Sequence, residues 1–501
     1  MTVFYRPHRQ FQMAFFIVLC ALGGIIVMFS NDVLSAGISV GDQGAVAAGR
    51  GGAFVAKADD ATAIEYNPAG LTSLHGTQLY LSNRFGYAHE QFRRAPLLDW
   101  SEAGEGIPDY VTFDTVNNEH TWQLLGPMIV VSTDFGLQSW AFALGTYAPA
   151  GISTQEFSQD GGQRYMLTRR DTKILYYSLS AAWRYKDVFG VGVSLQWVDL
   201  AQLELQLIVN GDTTPGQVSP VSSLFDMAAT VKGADHTGIS AILGFWVHPM
   251  PSFQLAFSGR LIPTYLHADS ELSLTPVFLS LEEAPELSRN DNPDNNVTFA
   301  MTLPMELRAG ARYIHLRGKR DLYDLELDVR YEFWSQMDEY IIDGKGLYAD
   351  VMGVSVEVGE IVIPKHWKNT FSVRFGGDMN VIDNRLIIRA GTFYETAASR
   401  KNFAYVDFPA THRLGASAGT TLILGRFDVS LSYTYVYEIP FSMSESNGQI
   451  YQQVPGSFCE APYTDNNNCD AHYPEQPSAT ANSGVYVSSY HFSSLALSYR
   501  F

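Results

Sequence analysis

Arginines at alternate positions, set among carboxylates, are the residues of this 501-residue chain whose type and spacing could do chemistry. Arg308 and Arg312 share a parity with Glu306, and Arg330 shares one with Glu326, Asp328 and Glu332. Side chains two apart on a strand point the same way, so each set lines one face. Arg184, Arg374 and Arg389 fall in comparable patterns, with Asp378 nearby. Guanidinium groups facing an enclosed space have two uses. They hold a carboxylate ligand through charge-assisted hydrogen bonds, or they pair with neighbouring acids and brace a wall, as buried charge normally does. Both readings stand for each arginine. Arg308, Arg312 and Arg330 are the headgroup candidates because they fall on neighbouring strands.

No catalytic constellation accompanies them. The chain has no Gly-x-Ser-x-Gly elbow and no His-Glu-x-x-His zinc helix. Its 12 histidines are scattered, and His412, His472 and His491 have no ligand spacing. The expectation is no enzyme, no catalytic residue, no cofactor and no metal; a serine–histidine pair hidden in a wall is the enzymatic alternative. Cys459 and Cys469 stand in one Asn-rich stretch. Two cysteines alone do not complete a metal site, and in an exported chain they read as a disulfide.

The elements that must position these residues are strands. Phe427, Val429, Leu431, Tyr433, Tyr435 and Tyr437 alternate with Asp428, Ser430, Ser432 and Thr434. Leu325, Leu327, Val329, Tyr331 and Phe333 alternate with Glu326, Asp328, Arg330 and Glu332. Fourteen such runs are expected, near 77–91, 120–133, 138–149, 164–186, 189–209, 238–248, 252–272, 297–317, 321–342, 368–380, 384–395, 412–424, 427–438 and 485–501. The connections between them alternate between short turns and long loops, the long ones near 92–119, 150–163, 210–237, 273–296, 343–367, 396–411 and 439–484. Short turns at one rim, long loops at the other and an even strand count describe a bacterial outer-membrane barrel. Closure leaves no open edge.

Composition agrees. Mean hydropathy is −0.04, too polar for a helical membrane bundle, and beyond the N-terminus there is no apolar run of the roughly 18 residues a spanning helix needs. Aromatic residues reach 13%, enough for belts at both membrane interfaces. A large soluble all-β protein with an aromatic core is the alternative. The net charge of −19, with no basic stripe, excludes nucleic acid as a partner. The last run places Leu495, Leu497, Tyr499 and Phe501 on one face, and its aromatic end looks like the signature that barrels present to the barrel-assembly machinery.

Residues 1–35 read as a signal peptide: Arg6 and Arg9, the apolar run Phe15–Phe29, then small residues around Ser35 and Ala36. Residues 36–76 break the strand pattern. They are rich in Gly and Ala, and Asp59–Tyr66 reads as a short helix with an Asp N-cap, stopped by Asn67-Pro68. A segment of this size before the first strand fits inside a lumen as a plug, leaving 77–501 as barrel.

The stretches Gly49-Arg50-Gly51-Gly52-Ala53-Phe54, Ala58-Asp59-Asp60-Ala61 and above all Asn67-Pro68-Ala69-Gly70-Leu71 resemble the FadL/TodX family of outer-membrane transporters for long-chain fatty acids and aromatic hydrocarbons. Tyr147-Ala148-Pro149-Ala150-Gly151 and Ile363-Pro364-Lys365-His366-Trp367 are similar too, so the resemblance spans the mature chain. It implies a 14-stranded all-β transmembrane barrel with an N-terminal hatch in which Asn67, Pro68 and Ala69 act as gate residues. It also implies passive uptake of a hydrophobic molecule, a long-chain fatty acid first, with an aromatic hydrocarbon as the alternative. The route is loop capture, lumen binding, hatch movement and sideways release at a kinked third strand. The loops forming the family's outer hydrophobic groove would here carry Leu224, Phe225 and Met227, then Val277, Phe278, Leu279 and Leu281. A monomer amid outer-membrane lipid and lipopolysaccharide is expected. Two other functions stay open, a polar-solute porin and a surface adhesin or receptor carried by the 439–484 loop.

Overall fold

A computed structural model of the protein describes residues 41–99, 109–149, 152–210, 226–277, 284–318, 320–351, 354–409, 411–452 and 479–501. The expected signal peptide, Leu224, Phe225, Phe278, Leu279, Leu281, Cys459 and Cys469 lie outside the described residues.

Fourteen antiparallel staves close into a barrel. They are β1 (Thr77–Arg94), β2 (Val116–Asn117, Trp122–Leu124 and Met128–Thr133), β3 (Trp140–Tyr147 and Ile152–Glu156), β4 (Arg169–Tyr185), β5 (Phe189–Asn210), β6 (Asp226–Met250) and β7 (Phe253–Arg260 and Thr264–Pro276). There follow β8 (Asn296–Leu303 and Glu306–Arg317), β9 (Arg320–Glu332 and Glu339–Val351), β10 (Val354–Pro364 and Thr370–Ile382), β11 (Leu386–Glu395), β12 (Arg413–Leu424), β13 (Phe427–Glu438) and β14 (Gly484–Arg500). Pairing of β1 with β14, from Gln78↔Arg500 to Arg94↔Gly484, shuts the ring.

Period-two alternation sets which residues meet lipid. Leu81, Ile129, Leu144, Leu179, Leu195, Leu243, Phe257, Leu431 and Leu497 are exposed on the outer face. Exposed rings bound this band: Phe135, Trp140, Tyr185, Phe427 and Phe501 at the short-turn rim, and Trp122, Tyr177, Trp197, Tyr435 and Tyr437 on the other side. Phe427 to Tyr437 is ten residues, about 33 Å along the strand and roughly 25 Å along the membrane normal at a ~40° tilt, the height of an outer-membrane apolar band.

Two expectations about the wall change. Strand pairing in β6 resumes at Asp226, so Met227 is not in a loop: it pairs with Val209 and Pro276 and is buried. Val277, next in chain, is partly buried, and its N–H donates to Asp226 O. Likewise 343–367 is mostly strand, with β9 and β10 paired from Glu339↔Pro364 to Val351↔Val354. Bulges hide this ladder in the sequence. Gly346 and Gly359 sit at φ +71° and +66°, and the register shifts between Gly344 and Tyr348, which flips the phase of the alternation.

Staves β7 to β10 each break at the same level: at 261–263, 304–305, 333–338 and 365–369. Pro263 and Pro304 cannot donate to a ladder, and Trp334–Gln336 forms a 3₁₀ turn. The breaks bond to one another, with Phe333 N–H donating to Met305 O and Lys365 N–H to Asp338 O. Above this crease the inner face is apolar, with Leu272, Phe299, Met301, Ile342 and Ile363 buried. Below it the inner face is ionic.

Candidate functional site

Residues 41–76 lie inside the ring. Their hydrogen-bond partners come from all round it: Arg84 on β1, Phe245 on β6, Ser258 on β7, Arg308 on β8, Arg374 on β10 and Thr434 on β13. Small residues make this fit possible. A Cβ on wall residue Gly376 or Gly391 would overlap the backbone of Arg50, and one on Gly192 or Gly244 would overlap Pro68. Helices α1 (Ala45–Gly49) and α2 (Ala63–Tyr66) are single turns. The helix expected over Asp59–Tyr66 is shorter and its cap is not an Asp: α2 begins at Ala63 with Thr62 as N-cap, and Asp60 Oδ1 accepts from Thr62 N–H at 2.8 Å.

Arg50, fully buried, anchors one half of this inner segment. It donates to Asp324 at 2.6 Å, Asp378 at 2.8 Å and Glu326 at 2.9 Å. The next residues complete the joint. Phe54 and Val55 N–H donate to Asp328 Oδ2 at 2.7 and 2.9 Å, and Ala56 and Lys57 N–H to Glu326 Oε1 at 2.6 and 3.2 Å. Every acid of this β9 face therefore meets a cation or a backbone donor, which is what buried carboxylates require.

The other half is anchored by the Asn-Pro-Ala motif. Asn67 Nδ2 donates to Val55 O at 3.0 Å and to the wall carbonyl of Phe245 at 3.2 Å, while its Oδ1 accepts from Ala69 N–H at 3.2 Å. Trp246 Nε1 on β6 donates to Ala69 O at 3.0 Å. Asn67, Pro68 and Ala69 are all buried at this seat.

A small cavity opens where α2 meets the crease. Glu65 forms its floor, and Tyr176, Leu303, Pro304 and Trp334 give it apolar walls. Pro149 from the break in β3 reaches it as well. Three arginines line it. Arg308 pairs with Glu306 and donates to Glu65 O at 2.7 Å, and Arg330 pairs with Glu306 at 2.5 Å and Glu332 at 2.9 Å. Arg260 differs: its guanidinium stands 5.0 Å from the Tyr176 ring centroid, its Nε has no hydrogen-bond partner, and Glu306 and Glu65 act on it only from beyond ion-pair distance. Burial pushes the Glu65 carboxyl up to about 7 against the opposing pull of Arg308 and Arg260, and its Oε2 has no partner. The site thus offers one cation outside ion-pair distance of any carboxylate among the described residues, and one poorly solvated acid, beneath an apolar inner face.

Beside the cavity, β3 departs from its neighbours. It pairs with β2 up to Thr146↔Ile129 and with β4 up to Tyr147↔Tyr176, resuming with β4 at Ile152↔Lys173. The carbonyl of Ala148 in this break accepts from Gln43 Nε2 of the inner segment at 2.7 Å. Tyr66 OH, in α2, donates to Gln43 O at 3.0 Å.

Of the arginines singled out in the sequence, Arg308 and Arg330 come to the cavity. Arg312 lies off it, paired with Asp324 at 2.7 Å. Arg374 and Arg389 belong to the ionic floor, and Arg184 to the short-turn rim beside Asp187. Arg260 and Glu65 were missed. Arg260 shares the inward parity of Gln254 and Ser258, a signal available in the sequence, whereas nothing local marks Glu65.

The family model for the outer membrane protein transport protein (OMPP1/FadL/TodX) matches residues 26–461. Among solved structures, a Pseudomonas aeruginosa FadL homologue is similar at 14% identity and a TM-score of 0.68, covering 93% of this chain and all of that one. The Pseudomonas putida toluene transporter TodX is similar at 13% identity and a TM-score of 0.62, covering 92% and 98%. The Ralstonia pickettii toluene transporter TbuX is similar at 14% identity and a TM-score of 0.56, with the same coverage. A search of curated proteins finds no match.

Proposed function

Because the chain belongs to the OMPP1/FadL/TodX family of outer-membrane transport proteins, we propose that its cargo is a long hydrophobic molecule ending in a carboxylate, a long-chain fatty acid first of all. The observation that carries this reading is Arg260. A guanidinium held on a tyrosine face without a carboxylate in ion-pair contact, under an apolar inner face, suits an anionic head with an apolar tail. Arg308 and Arg330 are spoken for by Glu306 and Glu332, so they shape the site's field and leave Arg260 as the donor.

In the proposed route the molecule enters from the long-connection side and settles with its head at Arg260 and Glu65. The Asn67-Pro68-Ala69 seat then yields as the hatch. Release is sideways at the β3 break, a path supported by the bond from Gln43 to Ala148 O. Passage is passive, down the cargo's gradient.

An aromatic hydrocarbon is the second reading, favoured by the rings of Tyr176 and Trp334 on the cavity wall. Binding measurements separate the two. With a fatty acid as ligand, Arg260→Gln should weaken binding by about 10- to 100-fold, the worth of a charge-assisted bond, while a fatty-acid methyl ester is unaffected. Equal affinity of the parent protein for acid and ester refutes the carboxylate reading. Mass spectrometry of molecules retained through mild-detergent purification gives an independent answer.

A further inference from the structure

The cavity is also covered from above. The connection between β11 and β12 does not stand out into solvent. After the 3₁₀ turn Lys401–Phe403, Ala404, Tyr405, Val406, Asp407 and Phe408 are all buried. They cross the mouth of the barrel from one wall to the other. On the β9–β10 side, Lys365 Nζ binds Asp407 Oδ2 at 2.6 Å and lies 4.5 and 4.2 Å from the ring centroids of Tyr340 and Tyr405. On the β3–β4 side, the Arg170 guanidinium lies 3.9 Å from the Phe408 ring centroid, and Gln155 Nε2 donates to Val406 O at 3.4 Å.

This crossing sits one layer over the cavity. Phe408 packs edge-on against Trp367 at 6.3 Å, and Trp367 against Trp334 at 5.2 Å, and Trp334 is cavity wall. The fastening is ionic: Lys365 and Asp407 are each nearly inaccessible, Asp407 is the only anion paired with Nζ among the described residues, and it also faces the buried Arg170 and accepts from Phe408 N–H at 2.7 Å. A buried pair of this kind is worth little against an apolar replacement, but losing one partner leaves an isolated buried charge. Removing either partner should therefore loosen the crossing.

We infer that residues 404–408 are an outer strap, latched by Lys365–Asp407, that closes the cavity toward the long-connection side. With the inner segment below, the cavity is then shut at both ends. The inference rests on the reading that cargo enters from that side, but its test needs no cargo. Leu303, a cavity residue, is replaced by cysteine in a mature protein without Cys459 and Cys469, reconstituted in liposomes and exposed to an apolar maleimide dye. Asp407→Asn should speed labelling by about tenfold or more, since Lys365 is stranded. The K365M/D407L pair, which no longer strands the Lys365 ammonium, should label more slowly than D407N, although Arg170 still loses its anion. Labelling of D407N at the parent rate, in barrels that keep their folded gel mobility, overturns the strap. Should D407N not fold, Phe408→Ala asks the same question, and parent-rate labelling there overturns it equally. A strap that opens in a protein with no preference for carboxylates leaves this inference standing while the cargo reading falls.

Discussion

Replacing Arg50 by Gln tests whether the inner segment is held by its ionic joint. Arg50 is fully buried and serves three carboxylates at 2.6, 2.8 and 2.9 Å, along with Ala53 O at 2.8 Å. Glutamine reaches none of them with charge, so Asp324, Glu326 and Asp378 keep only Lys57, Arg312, Arg389 and backbone donors. Breaking a buried ion pair by removing one partner costs about 3–5 kcal/mol, and here the cost falls on the seated state of residues 49–57, because the β-ladders do not depend on Arg50. At 1.36 kcal/mol per decade, that raises the unseated population roughly 150- to 5000-fold. Amide exchange by mass spectrometry reads it directly: the N–H groups of Phe54, Val55, Ala56 and Lys57, bonded to Asp328 and Glu326, should exchange faster by that order, while the ladder of β1 with β14 keeps its protection. Unchanged exchange at these four amides would refute the joint. Equal acceleration in the ladders would show instead that Arg50 holds up the barrel.

Gly391→Ala puts a methyl group into the Arg50 backbone, and overpacking of about 1–3 kcal/mol should appear as faster exchange over Gly49–Gly52 with the barrel intact. Trp246→Phe removes the donor to Ala69 O and should loosen the Asn67–Leu71 turn by about 1–2 kcal/mol, measured as exchange at Gly70 and Leu71. Seating of α2 should depend on pH through Glu65. Its carboxyl is raised to about 7 when seated against an ordinary value of 4.5, so the seated form holds the proton more tightly. The resulting stabilisation is complete below about 4.5 and is lost as pH rises through about 7. Exchange at Glu65 and Tyr66 should therefore quicken across that window, and Glu65→Gln should flatten the dependence; a slope of opposite sign refutes it.

Much of the wall was legible because a membrane barrel imposes period two on long stretches. Leu325 to Phe333 against Glu326 to Glu332 told inside from outside, and the short turns fixed the connectivity. Where the phase flips, legibility failed. Gly346 and Gly359 interrupt the alternation in β9 and β10, so a strand pair read as a loop, and Met227 was misplaced because Asp226–Gly238 mixes small residues of both faces. The Asn67-Pro68-Ala69 seat was visible as a motif, yet its partners were not: Gly192, Gly244 and Trp246 lie far away in sequence and carry no local mark. The same holds for Arg260. Its parity said it faces inward, but only the placement of Glu306 and Glu332 on Arg308 and Arg330 distinguishes a free guanidinium from a paired one.

The crease in β7 to β10 bears on how such a protein diversifies. Below it, the pairs β7–β8, β8–β9 and β9–β10 keep continuous ladders sized to the bilayer. Above it, the same staves pair anew from Thr264↔Leu303 and Glu339↔Pro364. Insertions or deletions in the upper pieces leave the lower register untouched, because no ladder runs through the break. A chimera joined at 261–263, 304–305, 333–338 and 365–369 would therefore take its apolar upper lining from one parent and its membrane belt, together with Arg260, from the other.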